Sequence, residues 1–187
     1  GLNELEKRVN SGEMKVALDT PMSPGSVSFA GPGKKEHELR CAIAADVLVN
    51  VESPQEMTLI ARLGNSLGIQ PRVAIRINPN FELKSSGMKM GGGPKPFGVD
   101  AECVPDLLKQ ISGLGLECIG FHIFSGSQNL NAAAIQENHE KTVQLAIRLA
   151  EYAPSSIKLI NMGGGFGIPY FPGERSLNLP LIGENLQ

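Results

Sequence analysis

Val47-Leu48-Val49-Asn50-Val51, then Glu52-Ser53-Pro54-Gln55-Glu56 opening a helical stretch to Leu67 and Gly68, then Arg72-Val73-Ala74-Ile75-Arg76-Ile77: these about 30 residues read as one strand–helix–strand unit. Ser53, with Glu56 three residues on, is a helix-start signature, and Gly68 is a stop. Both flanking strands are nearly continuous in apolar residues. That pattern marks a strand covered on both faces, as in a parallel sheet with crossover helices.

Working outward, the same alternation recurs. Val27 to Ala30 reads as a strand and Lys34 to Ala45 as a helix. Past a long Gly-rich loop, Asn78 to Gly98, come a helix from Ala101 to Gly113 and a strand from Glu117 to Phe124. The longest helix, Ala132 to Tyr152, precedes the strand Ile157 to Met162. Val9 to Ser11 with the helical Glu13 to Asp19 makes one more candidate unit, and nothing after Gly167 reads as a βα pair. Six β units in roughly 160 residues is the pitch of a (β/α)8 barrel of about 250 residues. The pattern leaves two architectures open, an open doubly wound sheet or an incomplete barrel.

Composition narrows the function. The 187 residues are 41% hydrophobic and 19% charged, as in a globular domain, and 17 basic against 19 acidic residues give a net charge of −2. Such balance carries no electrostatic footprint for nucleic acid or an anionic membrane. No apolar run approaches the roughly 20 residues of a membrane-spanning helix. Gly1 to Val9 is polar, without a signal-peptide core, and the expected location is cytoplasmic. Cys41, Cys103 and Cys118 are too widely spaced for a zinc motif and are expected to be small core residues.

In either parallel fold the ligand lies beyond the carboxyl ends of the strands. Two of those ends read Ser125-Gly126-Ser127 and Gly163-Gly164-Gly165. Small residues let backbone N–H groups approach an anion, and a hydroxyl adds a donor, so a phosphate group is the natural ligand. A nucleotide-binding glycine fingerprint fails on spacing, because Gly163-x-Gly165-x-x leads to Ile168. His122 reads as an acid/base or ring-stacking group, or as a satisfied buried histidine. Phe124 reads as an aromatic beside the anion site, or as core. Arg76 is a charge in an apolar strand, costly unless paired, which favours a ligand or cofactor contact. Lys34, Lys89 and Lys95 read as solvated loop lysines, and His37 and His139 as surface residues. The stretch Lys84 to Lys95 is long enough for a mobile lid.

From Ser11 to about Phe171 the chain resembles the barrel domain of the pyridoxal-phosphate-dependent decarboxylases acting on ornithine, arginine and diaminopimelate, the fold-type III group. The resemblance rests on landmarks in order: Ser11-Gly12-Glu13, Asn50-Val51-Glu52-Ser53, the Arg76 strand, Phe97-Gly98, Gly126-Ser127-Gln128, and Gly163 to Gly167. Phe29 to Lys34, Met88 to Gly91 and Ile168 to Gly173 are similar in wording to the decarboxylase-like proteins associated with exosortase A and exopolysaccharide clusters.

The resemblance implies a partial TIM-like α/β barrel over residues 1–187, about six of eight parallel strands, with the family's C-terminal β domain absent. It implies pyridoxal 5'-phosphate as cofactor and an amino acid as substrate, losing carbon dioxide through an aldimine. It also implies a homodimer or higher oligomer, with no nucleic-acid or membrane partner. By position, Ser127 and Gly163, Gly164 and Gly165 would hold the phosphate, Phe124 would take the place of a ring-stacking histidine, and His122 and Arg76 would lie near the ring. The family's Schiff-base lysine has no counterpart here, since Lys7 stands in a polar Glu-Leu-Glu-Lys-Arg context. The catalytic residue is therefore unidentified, and the 187 residues alone are expected to be inactive. The alternative reading is a non-catalytic module binding pyridoxal phosphate or phosphate, or a degenerate homologue. A barrel opened by two strands would also expose sheet edges and invite self-association.

Overall fold

The structure, a computed structural model, describes residues 12–81, 88–89 and 97–186. The expected Val9 to Ser11 strand, the Ser11 landmark, Lys7, Lys95 and most of the Lys84 to Lys95 stretch lie outside the described residues.

In chain order the elements are α1 (Gly12–Leu18), β1 (Ser28–Phe29), α2 (Glu36–Ala44), β2 (Leu48–Val51), α3 (Pro54–Leu67), β3 (Arg72–Asn78), β4 (Met88–Lys89) and β5 (Val99–Asp100). There follow α4 (Val104–Gly113), β6 (Glu117–Ile123), β7 (Gly126–Ser127), α5 (Ala132–Ala150), β8 (Leu159–Asn161) and α6 (Leu179–Asn185). The local chemistry follows the sequence closely. Ser53 Oγ accepts the Glu56 N–H at 3.1 Å, Pro54 occupies the first turn of α3, and Gly68 closes the helix at φ 68°. α6 was not legible: it is short, carries Pro180 and Gly183, and is recognisable only by its Asn178 cap and the buried Ile182.

β1, β2, β3, β6 and β8 form a wholly parallel sheet in that order, with β5 paired to the end of β3. Of the two architectures, this is the half-barrel. The two faces of the sheet differ. Val49, Val51, Val73, Ile75, Ile77, Phe121 and Ile123 pack with Leu39, Ile43, Met57, Ile60, Leu63, Leu108 and Ile111 of the helices in one core. Each such fully buried side chain contributes about 1.5–3 kcal/mol. The alternate residues line the other, inner face, where Leu48, Ala74 and Ile119 form a small separate cluster. A bulge between Val73 and Ala74 shifts the register against β6. It lets Cys118 and Phe121, three residues apart, both reach the helical core. Gly120 is required where β8 docks, because a side chain there would run into the Leu159 carbonyl.

Two side chains among the cysteines and histidines lie elsewhere than their types suggested. Cys103 is exposed, while Cys41 and Cys118 are buried. His139 is buried on α5 and is not a surface residue, while His37 is exposed as read.

Candidate functional site

The inner face turns polar at its carboxyl rim. Arg76 stands in register with His122, and His122 with Asn161. Glu52 follows directly on Val51, which pairs with Ile75, so Glu52 heads the same row. Each of these polar residues takes an inner-face position at the end of a strand that otherwise reads as apolar.

At one end of the row, the loops after β6 and β8 meet. Asn129 N–H donates to the Gly165 carbonyl and Gly167 N–H to the Asn129 carbonyl, both at 2.8 Å. A side chain added at Gly165 would place its Cβ 2.5 Å from the Gly126 carbonyl oxygen and 3.6 Å from Ser127 Cα. Ser127 and Gly165 therefore stand side by side on one rim. Gly163 and Gly165 have φ of 72° and 99°, open to glycine and strained for other residues. A Cβ at Gly163 would strike the Phe124 ring at 2.5 Å, which fixes that ring against the triple-glycine turn. Asn161 Oδ1 accepts the Gly163 N–H at 2.8 Å. The Gly164 and Gly165 N–H groups meet no acceptor among the described residues, and nothing lies within 4 Å of a Cβ placed at Gly164. The result is a glycine turn with unpaired backbone donors, closed to side chains at Gly163 and Gly165 and open at Gly164, a form that suits a phosphate.

The two serines of the Ser-Gly-Ser loop part company. Ser125 is buried and donates to Asn138 Oδ1 at 2.6 Å, tying the loop to α5. Ser127 is half-buried on β7, whose backbone pairs antiparallel with Met88 and Lys89 of β4.

The other end of the row is a buried ion cluster. Lys34, read as a solvated loop lysine, has a side chain only 1% exposed. Its Nζ donates to the Gly31 carbonyl (2.7 Å), the Asn50 carbonyl (2.8 Å) and Glu56 Oε1 (2.9 Å), which uses all three N–H groups. Glu56 Oε2 accepts the Glu52 N–H, and Glu52 Oε1 accepts from Gly31 N–H and from Arg76 Nη1 at 3.1 Å. The charge in the apolar strand is thus paired, as burial requires. Phe97 lies 4.9 Å from the Arg76 guanidinium carbon, a cation–π contact, and Gly98 backs onto the Arg76 carbonyl at φ 80°. Glu52 Oε2 is buried without a partner.

His122 sits between the two ends. Burial first, and then the neighbouring Arg76 charge, lower its pKa to about 4, with Glu52 opposing them. It is a neutral imidazole at physiological pH, with a buried, unpartnered Nδ1. An inner-face cavity of about 420 Å³ borders the site through Ser28, Leu48, Asn161, Gly163 and Phe166. Among the described residues no group of His, Cys, Asp and Glu is arranged to hold a metal ion. No described helix is long and apolar enough to cross a membrane.

Sequence reasoning found the loop end of this row, together with Arg76 and His122. It missed Lys34, Glu52 and Glu56. The available signal was Gly31-Pro32-Gly33-Lys34 at one strand end beside a carboxylate, Glu52, at the next.

Comparison with known proteins gives a family. The profile described as "Pyridoxal-dependent decarboxylase, pyridoxal binding domain" matches residues 7–187. An L-glutamyl-[BtrI acyl-carrier protein] decarboxylase of Niallia circulans is 36% identical over 175 residues, covering 92% of this chain and 41% of that protein. The diaminopimelate decarboxylase of Aquifex aeolicus is 35% identical over 170 residues, covering 89% of this chain and 40% of that protein. The crystal structure of diaminopimelate decarboxylase from Helicobacter pylori complexed with L-lysine superposes with a TM-score of 0.81 at 30% identity, covering 94% of this chain and 46% of that one. The chain therefore spans about 40% of the length of the curated relatives.

Proposed function

The chain belongs to the pyridoxal-dependent decarboxylases, and from that premise we propose that residues 1–187 are a partial barrel domain whose rim holds pyridoxal 5'-phosphate. In this reading Gly163, Gly164, Gly165 and Ser127 take the phosphate. Phe124 offers an apolar face to the pyridine ring, with His122 and Arg76 beside it. The observation that carries the proposal is the meeting of the Ser127 and Gly165 loops at the ends of adjacent parallel strands, where Gly163 and Gly165 leave no room for a side chain and Gly164 borders open space.

When bound, the cofactor supplies the electron sink that lets an amino acid lose carbon dioxide. The chain's own groups bind and orient. The glycine turn neutralises a dianion with N–H dipoles, Phe124 excludes water from one side, and neutral His122 offers an uncharged polar contact. We extend the proposal to the whole protein as a decarboxylase of an amino-acid substrate, on the strength of its relatives' activities. A homodimer or higher oligomer, a cytoplasmic setting and an exopolysaccharide context belong to the proposal through the resemblance alone.

Titration of the chain with pyridoxal 5'-phosphate, followed by absorbance, tests the site. The wild type is expected to bind. Gly165→Ala, which meets both the Gly126 carbonyl and a positive φ worth about 1–3 kcal/mol of strain, is expected to lose at least about tenfold in affinity. Gly164→Ala, with open space around it, is expected to retain it. A wild type that ignores the cofactor, or a Gly165→Ala that binds it equally well, overturns the reading.

A further inference from the structure

The charged corner at Lys34 has no part in the phosphate clamp, yet it is the most completely buried set of ionised groups described. Its members come from four places: Lys34 after β1, Glu52 after β2, Glu56 in the first turn of α3, and Arg76 on β3. Formal charges cancel within it. The connections run in one direction. Lys34 spends all its donors on Gly31, Asn50 and Glu56; Glu56 holds the backbone of Glu52; Glu52 holds Arg76. Arg76 is the member that stands in register with His122.

We propose that Glu52 is a positioning residue, held by Lys34 and Glu56, whose task is to fix the Arg76 guanidinium against Phe97 at the rim. One carboxylate oxygen carries both Gly31 and Arg76, while the other is buried and unpartnered. A carboxylate serving stability alone would gain by spreading its donors over both oxygens. This one holds a single Arg76 nitrogen and leaves the rest of the guanidinium fork uncommitted to it. Phe97 supplies the second constraint, so the guanidinium plane is set by a charge at one edge and a ring on its face. Lys34 is in turn a clamp and not a nucleophile, because an ammonium with three acceptors has no lone pair to offer.

That Arg76 then serves a cofactor rests on the proposed function; that Glu52 orients Arg76 does not. The test begins without ligand. In the 187-residue chain, the Arg76 side-chain N–H resonances are assigned by their disappearance in Arg76→Lys. Wild type is expected to show protected, slowly exchanging guanidinium protons. Glu52→Gln is expected to speed their exchange about tenfold or more, as loss of a charge-assisted bond should. Glu56→Gln, which loosens Glu52 without touching Arg76, is expected to do so to a lesser degree and keeps the test alive should Glu52→Gln fold poorly. Unchanged exchange in both variants overturns the inference.

With pyridoxal 5'-phosphate added, Glu52→Gln is expected to weaken binding, and the double variant Glu52→Gln/Arg76→Met to bind no worse than Arg76→Met alone. Additive losses would show that Glu52 acts otherwise than through Arg76. A wild type that does not bind the cofactor sinks the proposed function and leaves the exchange experiment to decide this inference. Borohydride reduction of the cofactor-treated chain and peptide mapping should leave Lys34 unlabelled; a label on Lys34 would refute its role as a clamp.

Discussion

The two ends of the rim achieve rigidity by opposite means. The Gly163–Gly165 turn and the Ser127 loop are built from backbone, with positive φ angles and short N–H···O links between neighbouring loops. The Lys34–Glu52–Arg76 corner is built from long charged side chains, nearly all hidden from water. Backbone donors carry partial charge and tolerate exposure, so the glycine turn can face an incoming anion directly. Full charges cannot be buried without partners. The corner must therefore neutralise itself, and only one guanidinium at its margin is left to face the site.

The largest expected effect falls on the charged corner. Lys34→Met leaves Glu56 buried without its counter-ion, while Glu52 keeps only Arg76, and should cost about 3–5 kcal/mol of unfolding free energy. Arg62→Gln removes an exposed pair with Glu36, whose side chains are 67% and 55% accessible, and should stay within about 1 kcal/mol of wild type. Denaturant titration of both variants decides the matter. A Lys34→Met loss as small as that of Arg62→Gln would show that the corner is hydrated and that the contrast between the two ends is false.

His122 joins the two ends and gives the comparison a pH axis. Its pKa falls from an ordinary 6.5 to about 4 on folding, so between these values the unfolded chain binds the proton and the folded chain does not. Stability contributed by the neutral ring is complete above pH 6.5 and drains away as the pH drops toward 4. The expected loss is on the order of 2–3 kcal/mol. His122→Gln should flatten that limb of the stability curve, measured as the denaturant midpoint from pH 7 to 4.5. An unaltered slope would mean that the ring is solvated and that the Arg76 charge does not reach it.

How much of this was legible follows from the same contrast. Glycine runs and strand-end serines are local signals: a turn that needs positive φ announces itself in consecutive residues. The Ser53 cap, the Gly68 stop and the parallel strands were readable for that reason, and so was the meeting of Ser127 with Gly165 once β6 and β8 were taken as neighbours. The ion corner is non-local. Lys34 finds Asn50 and Glu56 only after β1 and β2 pair, and nothing in Gly-Pro-Gly-Lys separates a buried ammonium from a solvated one. His139 and Cys103 were misplaced for a related reason. Amphipathic periodicity places a face, but whether that face is covered depends on distant elements such as α6.

The smallest effects separate two serines two residues apart. Ser125→Ala leaves Asn138 Oδ1 without its 2.6 Å donor in a buried setting and should cost about 1–3 kcal/mol in stability. Its loop remains seated through the Asn129–Gly165 and Gly167–Asn129 bonds, so cofactor affinity should move little. Ser127→Ala stands beside the Gly165 turn and should act chiefly on the cofactor, weakening pyridoxal 5'-phosphate by about one hydrogen bond's worth, roughly 0.5–1.5 kcal/mol. Paired melts and cofactor titrations separate the two residues. If Ser125→Ala proves the poorer binder while Ser127→Ala only unfolds more easily, the phosphate hydroxyl has been given to the wrong serine. The backbone end of the rim would then depend on α5, through Asn138, as the charged end depends on α3, through Glu56.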